Sequence, residues 1–339
     1  MFENISVFLN RDCPRNCLQC GIADHTKKPM SPTEWIEAFS IMKEAFQAKF
    51  FLFLGTEPLL FRDGILDMIR WLGREELFYG FYSTSPEPLF SQYREKLLEA
   101  GLNNWACGID VIPGMFKSDP ITEAKAKDGL RGLLWMAERG VQTMIINTVS
   151  DVNLDYIPDI IEYCQEHIPG CLNCLNPVEW RHDDRYDFFS KKEHMKNLVI
   201  PPEREPNVIR MVERVLQLTR RPGYQIQNLD RFLLEYKDHY SKLDYRCGGR
   251  IGPGVDCDGS MRLCGYCKGS RCPTWNVKDL RTPEKVEAFL RDWDLDVKDC
   301  IGCFWSYIYT LEDGYFEALT PRSKFYQERH KTPIPIVPR

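Results

Sequence analysis

Three cysteines stand at a spacing suited to metal chemistry. Arg11-Asp12-Cys13-Pro14-Arg15-Asn16-Cys17-Leu18-Gln19-Cys20 is a Cys-x3-Cys-x2-Cys run that follows the apolar segment 5–9. Three thiolates on one short loop can hold three irons of a cubane 4Fe–4S cluster and leave the fourth iron open for a substrate or cofactor. A zinc knuckle or scattered free thiols are the alternatives. Tetrahedral zinc wants a fourth Cys or His at a pairing distance, and His25 is poorly placed to supply it. A second element lies about one βα unit further on. The apolar segment 49–54 runs into Gly55-Thr56-Glu57-Pro58, where a glycine lets backbone approach a ligand closely and the carboxylate after it suits an ammonium group.

The triplet and the turn at that offset together resemble the radical S-adenosylmethionine (SAM) enzymes. The resemblance implies a cluster whose unique iron chelates the amino and carboxylate groups of SAM, and reductive cleavage of SAM to methionine and a 5′-deoxyadenosyl radical that abstracts a substrate hydrogen. Gly55-Thr56-Glu57-Pro58 is a one-residue variant of the family's Gly-Gly-Glu-Pro-like turn, which receives the SAM amino group. Gln19 departs from the aromatic residue the family usually has before its third cysteine. The resemblance extends to the ends of later strands. Ser83, Thr84 and Ser85 match small hydroxyl residues around the SAM ribose, with a plain hydroxyl turn before Pro86 as the alternative. Asp110, ending Cys107-Gly108-Ile109-Asp110, matches a strand end that faces substrate. Asn147 is a candidate for binding SAM or substrate, against a buried amide satisfied by backbone. Glu179 and His182 are further candidates. A Cys107 thiol at the rim would be able to return a hydrogen atom to a substrate radical, although most lone strand cysteines are small buried apolar residues.

A second cysteine set stands near the end of the chain: Cys247, Cys257, Cys264, Cys267, Cys272 and the pair Cys300 and Cys303. Cys247, Gly259 and Cys264 form a Cys-x11-Gly-x4-Cys run that resembles the hairpin of the SPASM and Twitch extensions behind radical SAM barrels. Asp258-Gly259 is also a hairpin signal in its own right, expected as a type I′ turn. By that resemblance Cys247, Cys264, Cys300 and Cys303 hold one auxiliary 4Fe–4S cluster, its shell closed by four thiolates, which transfers electrons or tunes potential. Cys257, Cys267 and Cys272 leave a rival ligand set, a bound zinc or spare thiols open. With no cysteine after Cys303, a second auxiliary cluster is not expected.

These residues need elements to position them. Strand-like runs at 5–9, 50–54, 78–83, 104–111, 142–149 and 171–176 alternate with amphipathic segments at 31–47, 64–72, 89–100, 124–139 and 155–167. Ser31-Pro32-Thr33-Glu34 is a capping box with proline at the first helical position. Such alternation specifies parallel strands with helical crossovers. The expected class is α/β, a partial (β/α)6 barrel with a C-terminal cysteine-rich β-hairpin/helix extension, ligand-facing residues lying at the carboxyl ends of the strands. The expected domains are the barrel (1–200), a helical bridge (201–244) with helices 203–220 and 229–240, and the extension and tail (245–339).

Composition fits an intracellular redox enzyme. The chain has 339 residues, 43% hydrophobic and 27% charged, with fourteen cysteines, enough for a sizeable core. The first residues have no basic n-region or apolar h-region, so a signal peptide is not expected. No stretch approaches the roughly 18 apolar residues of a membrane span. A cytoplasmic location without a membrane partner follows, with metal as the explanation of the cysteine spacings. The net charge of -5, with acids and bases interspersed, speaks against nucleic acid. A reductant such as flavodoxin or ferredoxin is implied by the resemblance. The preferred substrate is a small polar molecule, a sugar, aminocyclitol or nucleoside-like intermediate undergoing oxidation or epimerisation. This preference reflects the twelve residues before Cys13, where peptide maturases often carry a recognition domain. The alternative is a maturase that crosslinks, forms a thioether in, or epimerises a ribosomal precursor peptide, and the third reading is a non-catalytic iron–sulfur electron carrier. Trp105, Trp180, Tyr186, Trp275 and Trp305 are candidates for a pocket wall, against core packing. Segment 331–338, Lys-Thr-Pro-Ile-Pro-Ile-Val-Pro, reads as an extended tail.

Overall fold

Apolar strands of four to eight residues and amphipathic helices alternate along the first half of the chain, and the strands pair in parallel there. The computed structural model describes residues 2–15, 17, 20, 26–116, 118–168, 170–180, 183–186, 193–227, 230–240, 245–247 and 252–303. His182, Trp305 and the tail 331–338 lie outside them. The elements are β1 (Asn4–Val7), α1 (Pro32–Phe46), β2 (Phe50–Phe53), α2 (Asp63–Arg74), β3 (Phe78–Phe81), α3 (Leu89–Glu99), β4 (Asn104–Gly108), α4 (Pro120–Ala137), β5 (Gln142–Val149), α5 (Ile157–His167), β6 (Leu172–Pro177), α6 (Glu205–Leu218), β7 (Gln225–Ile226), α7 (Asp230–His239), β8 (Gly254–Val255), β9 (Met261–Arg262) and α8 (Pro283–Lys298). Among the described residues no helix is long and apolar enough to cross a membrane.

Two sheets form, ordered β3-β2-β1-β8-β9 and β4-β5-β6-β7. A single parallel bridge from Tyr82 to Ala106 links β3 to β4, so the six strands read from sequence form an open, partial barrel. Register in the first sheet sets Ile5 beside Phe51 and Phe51 beside Tyr79. β2 is buried along its whole length, as a strand covered on both faces must be. Phe39 of α1 packs on Phe51 and Phe53, with Trp71 of α2 beside it. The capping box is present: the Ser31 hydroxyl accepts from the Glu34 amide and the Glu34 carboxylate accepts from the Ser31 amide, with Pro32 at the helix start.

Local chemistry moves some boundaries. α4 starts at Pro120, four residues ahead of the expected 124, because the Asp119 carboxylate accepts from the Ile121 and Thr122 amides and so caps an earlier turn. α8 is the helix of the expected β-hairpin/helix extension, with bounds the sequence leaves open. The hairpin at Asp258-Gly259 is formed, but only Gly259 has positive φ (84°). Gly259 donates to the Asp256 carbonyl and Asp256 to that of Ser260. The loop is therefore a turn closed by a left-handed glycine, and the expected type I′ geometry, which needs two left-handed residues, is corrected.

This hairpin is built into the barrel. β8 pairs parallel with β1, Val7 beside Val255, which makes the cysteine-rich extension a continuation of the sheet edge. Buried charge fastens the joint. The Asp256 carboxylate accepts from Arg11 (2.8 and 2.6 Å), Lys27 (2.9 Å) and Arg262 (3.1 Å), and both arginines lie over the Phe8 ring.

Candidate active site

A cavity of about 250 Å³ sits at the carboxyl ends of the strands, where the fold places ligands. Cys13, Cys17 and Cys20 border it, with Gly55 and Thr56 after β2, Ser83 and Thr84 after β3, Gly108 of β4, Thr148 of β5 and Asn176 of β6. The cysteine loop and the Gly55–Pro58 turn are tied to each other. Thr56 Oγ1 donates to the Asn10 carbonyl (2.8 Å), Asn10 Nδ2 to the Glu57 carbonyl (3.0 Å) and the Glu57 amide to the Asp12 carbonyl (3.3 Å). Gly55, at φ 79°, takes a backbone conformation open to glycine. Burial pushes the Cys13 thiol up to about 12 and raises that of Cys17, so each thiol holds its proton until a metal displaces it.

Glu57 is turned away from the cavity. Its carboxylate is fully buried and accepts four hydrogen bonds, from Ser83 Oγ (2.8 Å), the Thr84 amide (2.9 Å), Thr84 Oγ1 (3.0 Å) and the Leu59 amide (3.2 Å). Burial makes it a weaker acid, raising its pKa despite those donors. In this structure the carboxylate fixes the strand-end hydroxyls, and the neighbouring Gly55 and Thr56 face the space. Pro58, opening the short 3-10 turn Pro58–Phe61, is buried beneath it.

Strand parity decides the remaining candidates, since successive residues face opposite sides. Asn147 is buried in β5, does not border the cavity, and donates to the Ile109 carbonyl; its neighbours Ile146 and Thr148 line the space instead. Ser85, fully buried, accepts from Trp105 Nε1 (3.3 Å) and lies against Gly132 of α4. Cys107 borders the cavity, yet its Sγ packs on α4, where a Cβ built at Gly129 would fall 2.5 Å from it. Burial pushes this thiol up to about 12. That placement is the small buried apolar residue the sequence favours over a hydrogen donor. Trp105 is core, stacked on Phe81.

Asp110 forms a buried ion pair with Lys125 of α4 (2.8 Å) and accepts from the Thr148 amide (2.8 Å). Burial works against the Lys125 charge, but the Asp110 carboxylate beside it outweighs burial and holds the ammonium above the usual lysine range. Sequence reasoning missed Lys125. The only signal was a lysine on the apolar side of α4, beside Ala126 and Gly129, and that pattern alone does not distinguish a site residue from a snorkelling one. Beyond the pair lies a second hollow of about 490 Å³, which shares Thr148 and is bordered by Asp110, Phe116, Asp119, Val152, Asn153 and Leu198 among others. Glu179 and Tyr266 close the first cavity on the side of the extension.

The second cysteine set encloses a space of its own. Cys247, Cys264, Cys300 and Cys303 all border one cavity of about 330 Å³, joined there by Cys267. The Cys264-Gly265-Tyr266-Cys267 turn presents backbone to sulfur: the Tyr266 and Cys267 amides point at Cys264 Sγ (3.4 and 3.3 Å). Gly265 lets this turn rest on the barrel, because a Cβ there would meet Leu54 at 2.4 Å and Ser6 at 2.9 Å. The Cys303 amide donates to the Tyr245 carbonyl (2.9 Å), bringing the late cysteine pair beside Cys247. Cys257 and Cys272, both buried, do not border this cavity. Among the described residues no three Cys, His, Asp or Glu side chains converge closely enough to hold a single metal ion; the thiols are spread around cavity walls. Three thiols at one cavity and four or five at another are donor sets suited to iron–sulfur clusters.

Residues 7–164 match the family described as the radical SAM superfamily. The protein is a radical SAM enzyme, whose cofactors are SAM and a 4Fe–4S cluster. The chain is similar to the crystal structure of Streptococcus suis SuiB, with TM-score 0.58 and 13% identity over 92% of this chain and 74% of that one. The same protein bound to precursor peptide SuiA aligns at TM-score 0.59 and 11% identity, covering 92% and 73%. Native anSMEcpe with bound AdoMet aligns at TM-score 0.59 and 14% identity, covering 97% of this chain and 100% of that one. At these identities the likeness is one of fold. No curated protein matches the chain.

Proposed function

We propose that this radical SAM enzyme modifies a peptide, with Cys13, Cys17 and Cys20 holding the SAM-binding cluster and Cys247, Cys264, Cys300 and Cys303 holding one auxiliary 4Fe–4S cluster. When bound and reduced by a donor such as flavodoxin or ferredoxin, SAM and its cluster supply a 5′-deoxyadenosyl radical. The chain's own residues bind and orient. Gly55 and Thr56 offer backbone and hydroxyl to the methionine end of SAM, while Ser83 and Thr84, held by Glu57, offer polar contact nearby. Asp110, Lys125 and Thr148 stand where the first cavity meets the second and position the substrate.

The observation that carries the peptide reading is the second hollow. At about 490 Å³, adjoining the SAM side at Thr148, it is large enough for a substrate with side chains on either side of the reacting carbon, which a small sugar would leave unfilled. The solved structures of similar fold that bear peptides, SuiB with SuiA and anSMEcpe with Cp18Cys peptide, support the same choice over the small-molecule preference. The test is 5′-deoxyadenosine formation by reconstituted, reduced protein offered a panel of peptides and a panel of sugars, aminocyclitols and nucleosides. Stimulation by a peptide whose mass changes supports the reading. Stimulation confined to small molecules overturns it.

A further inference from the structure

Tyr186 lies outside both cysteine sets, yet its phenol oxygen is 3.2 Å from Cys300 Sγ and its side chain is buried. The segment that carries it is fixed on both sides of the auxiliary cavity. The Tyr186 amide donates to the Asp183 carbonyl (3.0 Å), and the Lys268 amide donates to the Arg185 carbonyl (2.8 Å), one residue beyond Cys267. Arg185 forks onto Asp183 through Nε and Nη2 (2.7 to 3.1 Å), and its Nη1 reaches the Asp299 carbonyl (3.2 Å), one residue before Cys300. Chain that follows the last barrel strand is thus strapped across the extension with one hydroxyl aimed at one thiol.

We infer that Tyr186 is a positioning residue for the auxiliary cluster, donating its O–H to the Cys300 sulfur and setting the cluster's reduction potential. The inference rests on Cys300 being a ligand. A thiolate bound to iron has no proton to give, so the phenol is the donor and the sulfur the acceptor. Reduction adds negative charge that spreads onto the ligand sulfurs, and a hydrogen bond to one of them favours the reduced state. Removing the hydroxyl should make the auxiliary cluster harder to reduce.

The experiment is a spectroscopic redox titration of fully reconstituted protein and its Tyr186→Phe variant, with iron counted in each. Resonance Raman spectra of the iron–cysteine stretches are recorded in H2O and D2O. The expected result is unchanged iron, an auxiliary couple shifted negative by about tenfold in its equilibrium, ~59 mV for one electron, and a smaller deuterium shift, the part due to the Tyr266 and Cys267 amides at Cys264 being retained. Full iron with neither potential nor deuterium shift altered overturns the inference. If the unsubstituted protein holds iron for the first cluster only, the ligand assignment itself has failed and the inference falls with it. If Tyr186→Phe loses the auxiliary iron, the residue holds the cluster in place and does not set its potential, and the inference is overturned.

Discussion

At the scale of single residues, the site separates groups that face the ligand from groups that hold those groups still. Glu57 belongs to the second kind. Its carboxylate accepts from Ser83, Thr84 and Leu59, and a glutamine would present an NH2 where one of these donors points. Glu57→Gln should therefore destabilise the fold by about 2 kcal/mol, the cost of a buried unmatched donor, and weaken SAM binding through displaced Ser83 and Thr84. Denaturant unfolding beside SAM titration checks it; weaker SAM binding at unchanged stability would restore direct contact by the carboxylate. Cys107 gives the opposite expectation. With Sγ against Gly129, Cys107→Ala should leave turnover, and any solvent hydrogen in the product, within about twofold of the parent, a cost near 0.4 kcal/mol at most in barrier terms. Loss of solvent hydrogen from the product in that variant would place the thiol in the reaction.

At the scale of elements, the joint between barrel and extension depends on Asp256. Its carboxylate is held well below its ordinary range: burial opposes the charge, and Arg11, Arg262 and Lys27 overcome it. A carboxyl with a depressed folded value contributes stability that is present above its unfolded value of about 3.9 and lost as pH falls through the folded one. Asp256→Asn leaves two buried arginines short of their partner and should cost about 3 kcal/mol at neutral pH, the gap to the parent narrowing as both are taken into strong acid. A pH-independent difference in unfolding free energy would contradict this. The same scale shows what was legible in the chain. Strand and helix alternation was readable because apolar runs such as Phe50–Phe53 and the Ser31 capping box are local signals. Parity was harder: Asn147 and Thr148 are neighbours of similar polarity, and only the register of β5 says which one faces inward. The bounds of α8 are not legible because its apolar positions, such as Phe289 and Trp293, are diluted by charge. Lys125 was invisible because its partner Asp110 lies on another element.

At the scale of the whole molecule, two cysteine sets far apart in sequence meet on one sheet. β8 extends β1, so the hairpin bearing Cys264 is seated beside the strand that leads into Cys13, and Tyr266 borders both the SAM-side and the auxiliary cavities. The account's central claim is that these are two independent cluster sites in one chain. Anaerobic reconstitution followed by iron and sulfide analysis tests it most directly, comparing the parent with Cys13, Cys17 and Cys20 changed together to Ala, and with Cys264 and Cys303 changed together to Ala. The account predicts about eight irons and eight sulfides in the parent and about four of each in either variant, as one cubane per set requires. A parent that saturates at about four irons, or a variant that loses all of them at once, would contradict it.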